Sequence, residues 1–339
     1  MTASTTGAGG PDQLRVGVLG AARIVRTALL APARAVPDVR VTVIGARDPA
    51  RAAAYARRHG ITDAVGGYQA VLDHPEVDAV YIPLPNSLHA EWVIRAVRAG
   101  KHVLCEKPFV SNAAQAEVVA DAVAASQMVV MQAFHYRYHP FFERLRQVVV
   151  SGELGAIRRM GVTLHAPIPP GRDIRWNFDL AGGSMMDLGS YAVHMLRHLG
   201  GEEPTVKSAT AKTIRDARLD RWMRAELDFP SGFGADLDVA MWSGRALELS
   251  LTVVGENGTM TVRNPLMPQL LGRAVIRTRD GRRVMHAERR PSYLYQLEAF
   301  RNAAMDGSPI PTGAEDGVAT MRVIDAIYAG AGLPVRPGF

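Results

Sequence analysis

The chain of 339 residues has a single cysteine, Cys105, so an intramolecular disulfide and a thiolate-held metal cluster are both excluded. Set in an apolar stretch, that cysteine reads as a small core side chain rather than a nucleophile. Lysine is almost as scarce, occurring only at 101, 107, 207 and 212, and the other cations are arginine. A lysine kept in such a background is of interest where a compact ammonium of adjustable pKa is needed. No apolar run reaches the roughly 18 residues that cross a bilayer, so no membrane partner is expected. The opening MTASTTGAGGPDQ has no basic region, no twin arginine and no apolar segment. It does not read as a secretory signal, and residues 1–13 are expected to form a disordered tail on a cytoplasmic protein. The net charge of +6 raises nucleic acid as a partner. No basic run is interleaved with aromatics, however, and the arginines are spread along the chain among acids, so no nucleic acid is expected.

What is present is globular: 47% of residues are hydrophobic and 21% charged, enough for about two domains. Apolar, β-rich runs at 14–19, 39–46, 78–83, 102–105 and 128–133 alternate with helical stretches at 21–36, 49–59, 87–99 and 111–126. That order predicts an α/β fold with a doubly wound parallel sheet over 14–134. Beyond 134 the runs 221–229, 234–242 and 246–254 alternate with period two, which predicts an α+β domain over 135–339 with an antiparallel sheet. Two amphipathic helices, 291–307 and 313–330, close the chain, and their pattern leaves open whether the last one packs back on the first domain. There is no internal repeat.

The first strand runs into Gly20, Ala21, Ala22, Arg23, Ile24 and Val25, where a dinucleotide fingerprint would place glycines at 20, 22 and 25. Only Gly20 is in register; Ala22 adds a methyl near the pyrophosphate path, and Val25 keeps the helix from sitting as tightly on the strand. The motif is weak alone, but it stands on the first strand-to-helix turn, where helix amides favour an anion. At the end of the second strand, Arg47 and Asp48 occupy the ribose-recognition position. An arginine there suits a 2′-phosphate, so NADP(H) is preferred and NAD(H) possible; the bland alternative is a solvated Arg47 and an Asp48 that caps the next helix. The loops after the fourth and fifth strands point to the same crevice. Pro83, Leu84, Asn86 (read as an N-cap) and His89 lie on one, and Glu106 and Lys107 on the other, with Lys107 facing the nicotinamide end.

In order, GAARI, RDPARA, PNSLH, GKHVLCEKP and GGSMMDLGSY resemble the Gfo/Idh/MocA oxidoreductases, within them the branch of dimeric dihydrodiol dehydrogenase, NADP-dependent xylose dehydrogenase and glucose-fructose oxidoreductase. The resemblance implies an N-terminal Rossmann domain and a second domain on an open, mainly antiparallel sheet that joins copies into a homodimer or homotetramer. It implies hydride transfer between NAD(P) and a hydroxyl or carbonyl carbon of a sugar, sugar derivative or vicinal diol. It places the active-site lysine at Lys107, the conserved acid at Asp187 and the proton donor or acceptor at Tyr191. The inositol dehydrogenase branch carries histidine at that last position.

The chemistry of the residues agrees. Alcohol oxidation needs an acid/base beside the reacting oxygen. A free tyrosine, with a pKa near 10, would need a nearby lysine to lower it. Asp187 and Tyr191, four apart, share a helix face, and Gly182 and Gly183 give the chain freedom to turn into it. Tyr136, Arg137, Arg175, Trp176 and His194 are candidate substrate contacts, with Trp176 equally readable as a domain-interface anchor and His194 as a packed interior histidine. His194 and His198, like His135 and His139, have helical metal-pair spacing. With no third ligand in a motif, no metal is expected. Pro108 is read as a candidate cis proline. The rival reading is a non-catalytic, ligand-sensing regulatory protein of the same fold.

Overall fold

The computed structural model describes residues 13–244 and 247–338, so the expected tail, apart from Gln13, lies outside the described residues. Six parallel strands form the first sheet: β1 (Leu14–Leu19), β2 (Val39–Ala46), β3 (Asp63–Gly66), β4 (Ala79–Ile82), β5 (His102–Cys105) and β6 (Val130–Gln132), in the order β3-β2-β1-β4-β5-β6. The order reverses between β1 and β4, which opens a crevice at their carboxyl ends. β1, β4 and β5 are almost wholly buried, as parallel strands covered on both faces must be. Cys105 is fully buried on β5. The sheet has one strand more than the sequence predicts: β3 is only DAVG, with alternating exposure, too short and too polar to signal itself.

The connecting helices are α1 (Ala31–Ala33), α2 (Pro49–His59), α3 (Gln69–Leu72), α4 (His89–Arg98) and α5 (Ala113–Ala124). The helix expected over 21–36 is instead a loop followed by a π turn (Arg26–Leu30) and the short α1. Pro32 lacks an N–H and crowds the carbonyl one turn back, so the regular ladder is broken there.

The second domain carries α6 (Pro140–Val150), β7 (Ile157–His165), α7 (Ser190–Gly200) and β8 (Thr205–Thr213), followed by β9 (Asp220–Asp228), β10 (Gly234–Ala240), β11 (Glu248–Gly255), β12 (Gly258–Arg263), β13 (Arg273–Thr278) and β14 (Gly281–His286). It ends with α8 (Ser292–Asp306) and α9 (Ala314–Gly330). Its eight strands are ordered β14-β13-β12-β11-β7-β10-β9-β8, antiparallel except at β7/β10. Met160, Val162, Leu164, Met223, Leu227, Leu237 and Val239 bury one face. The other face carries Arg159 paired with Asp236, and Trp222 bonded to Asp238. Among the described residues no helix is long and apolar enough to cross a membrane.

Helix α9 packs on β8 of the second sheet and on α5 of the first domain. The Asp325 carboxylate accepts the Ala113 amide at 2.7 Å, and Gly317 lies against Phe109. A Cβ at Gly317 would stand 2.3 Å from the Phe109 ring, and that ring is 1% exposed with nowhere to move. Gly317→Ala is therefore expected to lower unfolding free energy by about 1–3 kcal/mol, read from the denaturant midpoint.

Candidate active site

The crevice is built from three loops of the first domain and one segment of the second. Gly20 ends β1 at φ +106°, the left-handed region that only glycine enters cheaply. A Cβ there would also press on Leu84 at 3.0 Å. Arg51 Nη2 donates to the Ala21 carbonyl at 3.0 Å and the Tyr55 hydroxyl to that of Ala22 at 3.4 Å, so α2 straps the loop in place. Val25 is fully buried. Asp48 Oδ1 accepts the Ala50 amide at 2.9 Å and caps α2, while Arg47 beside it is exposed.

The fifth strand delivers Glu106 and Lys107, and the 107–108 peptide is cis. Lys107 Nζ does not pair with its neighbour. It donates to Asp187 Oδ1 at 2.7 Å and to the Asp187 carbonyl at 2.8 Å, and it stands 4.8 Å from the centre of the Tyr191 ring. Glu106 accepts from the Tyr81 hydroxyl at 2.6 Å. Asp187 sits in a π turn (Met185–Gly189) that leads directly into α7, which carries Tyr191. Arg175 Nε lies 3.2 Å from Asp187 Oδ2 and its Nη1 3.0 Å from Asp173. Arg23 lies 3.6 Å from Asp173. A row of alternating charges thus crosses the cleft, from the Gly20 loop to Lys107.

Burial alone would raise the Asp187 pKa, but Lys107 and Arg175 more than offset it and hold the carboxyl below its ordinary value. Burial raises Glu106, with Tyr81 and Lys107 offsetting part of the effect. Tyr191 is pushed well above the usual phenol range by burial first, then by Tyr293, Glu106 and Asp187. The sequence reading expected lysine to lower it. The ammonium instead faces the ring and is neutralised by Asp187, so burial prevails.

Glu106, Lys107, Arg175, Asp187, Tyr191 and Tyr293 line one cavity of about 310 Å³, together with Ala22, Arg23, Ile24, Pro83, Leu84 and Asn86. Other expectations for the site residues are met differently. Asn86 caps nothing: the chain makes a 3₁₀ turn (Asn86–Leu88) before α4, and the Asn86 amide donates to the Ala181 carbonyl at 2.8 Å. His89 is fully buried, its ring nitrogens 2.9 and 3.0 Å from the Pro108 and Leu84 carbonyls, so it acts as a strut between two cleft loops. Tyr136 is fully buried because the 3₁₀ turn after β6 aims it into the core, where its hydroxyl meets His194 Nδ1. His194, three residues past Tyr191, turns towards α9 and lies 3.2 Å from Asp316. Arg137 stacks over Phe142 at 5.4 Å, and Trp176 is 9% exposed, within the core.

Asp316 also supplies the third donor that helix spacing could not show, bringing His194, His198 and Asp316 within 4.8 Å of one another. Arg197 Nη1, 2.7 Å from the same carboxylate, already compensates its charge, so the group reads as an ion-pair knot joining α7 to α9. Sequence reasoning missed Asp173, Ile174, Leu180 and Tyr293 in the cavity wall. The first three flank Arg175 and Trp176, which the sequence did single out. Tyr293 arrives on α8 through long-range packing that no local pattern announces.

The description "Oxidoreductase family, NAD-binding Rossmann fold" matches residues 14–134, and "GFO/IDH/MocA C-terminal domain" matches residues 142–261. The chain is 38% identical to D-xylose 1-dehydrogenase (NADP(+)) 2 of Haloferax volcanii, across 93% of this chain and 96% of that protein. A 3-ketoreductase from Actinomadura kijaniata, solved with NADP and TDP-benzene, superposes at a TM-score of 0.86 with 30% identity, covering 94% of this chain and 98% of that one. The aldose-aldose oxidoreductase of Caulobacter crescentus superposes at 0.85 with 27% identity, covering 94% and 98%. The chain belongs to the Gfo/Idh/MocA family of NAD(P)-dependent oxidoreductases.

Proposed function

We propose that this protein exchanges hydride between NADP(H) and the carbon of a hydroxyl or carbonyl group on a sugar, sugar derivative or vicinal diol. The observation that carries the reading is Lys107, held at 2.7 Å by Asp187 and 4.8 Å from the Tyr191 ring, at one end of a cleft whose other end is the Gly20 loop. The loop suits a dinucleotide phosphate: a Cβ at Gly20 would intrude on Leu84, so the backbone there stays bare. Charge supports an anionic cofactor too. Between Gly20 and Gly60 stand eight arginines and two aspartates. That surplus equals the net +6 of the whole chain, so the stretch that carries the Gly20 loop and Arg47 is locally basic, while arginines paired with acids are spread over the rest. Such a local positive potential draws polyanions to the cleft.

When bound, NADP(H) supplies or takes up the hydride. Tyr191, held as a neutral phenol, donates a proton to the oxygen of a carbonyl under reduction, and its oxygen receives that proton back in the reverse direction. Lys107 stabilises negative charge growing on that oxygen, and Asp187, with Arg175 behind it, fixes the ammonium. Arg47 holds the 2′-phosphate. The uncovered face of the eight-stranded sheet is the proposed contact between copies, in a homodimer or homotetramer.

A panel of aldoses, nucleotide-free sugars and diols, assayed by absorbance of the reduced nicotinamide, tests the reading; no turnover with any of them under either cofactor would overturn it. Arg47→Ala should raise the Kd for NADP⁺ about 10- to 100-fold, the value of a lost charge-assisted contact, and leave that for NAD⁺ unchanged. Equal losses for both would remove Arg47 from phosphate recognition. Since the acid must carry its proton and the Tyr191 pKa is raised, the rate of carbonyl reduction should stay flat from about pH 6 to 9 and fall only beyond. A fall centred near neutrality would assign the proton to another group.

A further inference from the structure

The C-terminal segment after α9 carries a side chain with an unusual position. Arg336 lies fully buried against a fully buried Asp220. Its Nε donates to the Gly182 carbonyl at 2.6 Å and its Nη1 to the carbonyls of Arg218 and Pro334 at 3.2 and 3.1 Å; Nη2 donates to Asp220 Oδ1. The guanidinium stacks 4.0 Å from the Tyr328 ring. Asp220 in turn accepts the Ser184 hydroxyl at 2.6 Å and the Met185 amide at 2.7 Å with its other oxygen. The two residues therefore bind positions 182, 184 and 185, immediately before Asp187. A Cβ on Gly183 would collide with both.

The backbone of the same residue reaches the other wall of the cleft. The Asn112 amide donates to the Arg336 carbonyl at 2.9 Å, and Asn112 caps α5, five residues after Lys107. One residue thus grips both the segment that delivers Asp187 and Tyr191 and the segment that delivers Lys107.

We propose that Arg336 is a positioning residue for the reaction: acting through Gly182, Asp220 and Asn112, it keeps Asp187 and Tyr191 aligned with Lys107. This rests on the hydride-transfer reading above. A displacement of about 1 Å at such a centre costs on the order of 100-fold in rate. The clasp is therefore expected to show in kcat rather than in cofactor affinity.

Arg336→Ala in the full-length chain is the test, with turnover expressed per NADPH-binding site, so that unfolded chains do not count. The expected result is a fall in kcat of about 30- to 300-fold with the Kd for NADPH within about three-fold. Added guanidinium or ethylguanidinium ion, entering the vacated space, should restore at least about ten-fold of the rate. If Arg336→Ala does not fold, Arg336→Lys keeps the charge and loses the fork, and is expected to lower kcat about 5- to 30-fold. Hydrogen exchange supplies a readout independent of turnover: amides 183–191 should exchange faster in either variant, while those of β1 and β4 should not. Unchanged kcat per site, equal losses of kcat and NADPH binding, or unchanged exchange over 183–191 would each overturn the proposal. A wild-type chain that binds no NADPH and turns over nothing would sink the hydride-transfer reading, and the exchange result would then still decide whether the clasp exists.

Discussion

Lys107→Met is expected to lower kcat by about 10²- to 10⁴-fold while dinucleotide affinity changes no more than a few-fold. Methionine keeps the apolar stem and the length of the side chain and removes only the ammonium. Two consequences follow. The reacting oxygen loses the cation that balances its growing charge, and Asp187 loses the donor at 2.7 Å. Both partners are largely enclosed, with side-chain exposures of 13% and 15%, so stranding the carboxylate also costs stability. Arg175 remains 3.2 Å away and limits that cost to about 1–3 kcal/mol, below the figure for a wholly unpaired buried charge. Adding Asp187→Asn to Lys107→Met should recover most of the lost stability and none of the lost turnover. A double variant that regained activity would show the ammonium to be structural.

Tyr191→Phe is expected to produce a loss of similar size, about 10²- to 10⁴-fold in kcat, with almost no change in stability. The ring packs against Phe134 at 5.4 Å between centroids and lies under Lys107, and phenylalanine preserves both contacts. Tyr191 lines the cavity, so removal of its hydroxyl is expected to leave no buried partner unsatisfied. Turnover, cofactor titration and thermal unfolding measured side by side check this. Loss of turnover together with loss of fold would move Tyr191 from chemistry to packing.

The parts of the fold that were legible in sequence are those whose burial writes a simple pattern. Runs such as LRVGVL and VRVTVIGA are apolar because parallel strands are covered on both faces. The strands of the second sheet show period two because one face is covered. The strands that escaped notice are β3, β7, β8, β12, β13 and β14; most are short, polar or at sheet edges, where burial imposes less on the residues, while β7 is central but opens on Arg158 and Arg159 and carries Gly161, which blur its alternation. The grouping of Lys107, Asp187 and Tyr191 was suggested by resemblance alone, for the first two meet across 80 positions of chain and no local period records such a contact. Local patterns misled in one direction. Asn86 looked like a cap, and Tyr136 and His194 like cleft residues, because sequence shows proximity along the chain but not the direction in which a turn aims its side chain. The raised pKa of Tyr191 has the same origin, since it depends on which side of the ring the ammonium occupies.

The central claim is that the Gly20 loop, Lys107, Asp187 and Tyr191 form a single hydride-transfer site. A single-turnover experiment tests it most directly: wild-type and Tyr191→Phe proteins, each saturated with NADP⁺, are mixed with excess of the best sugar or diol, and the reduced nicotinamide is followed by absorbance. The account predicts a full-amplitude rise in the wild type and a rise at least about 100-fold slower in the variant at equal bound cofactor. Equal rates in the two proteins would contradict it.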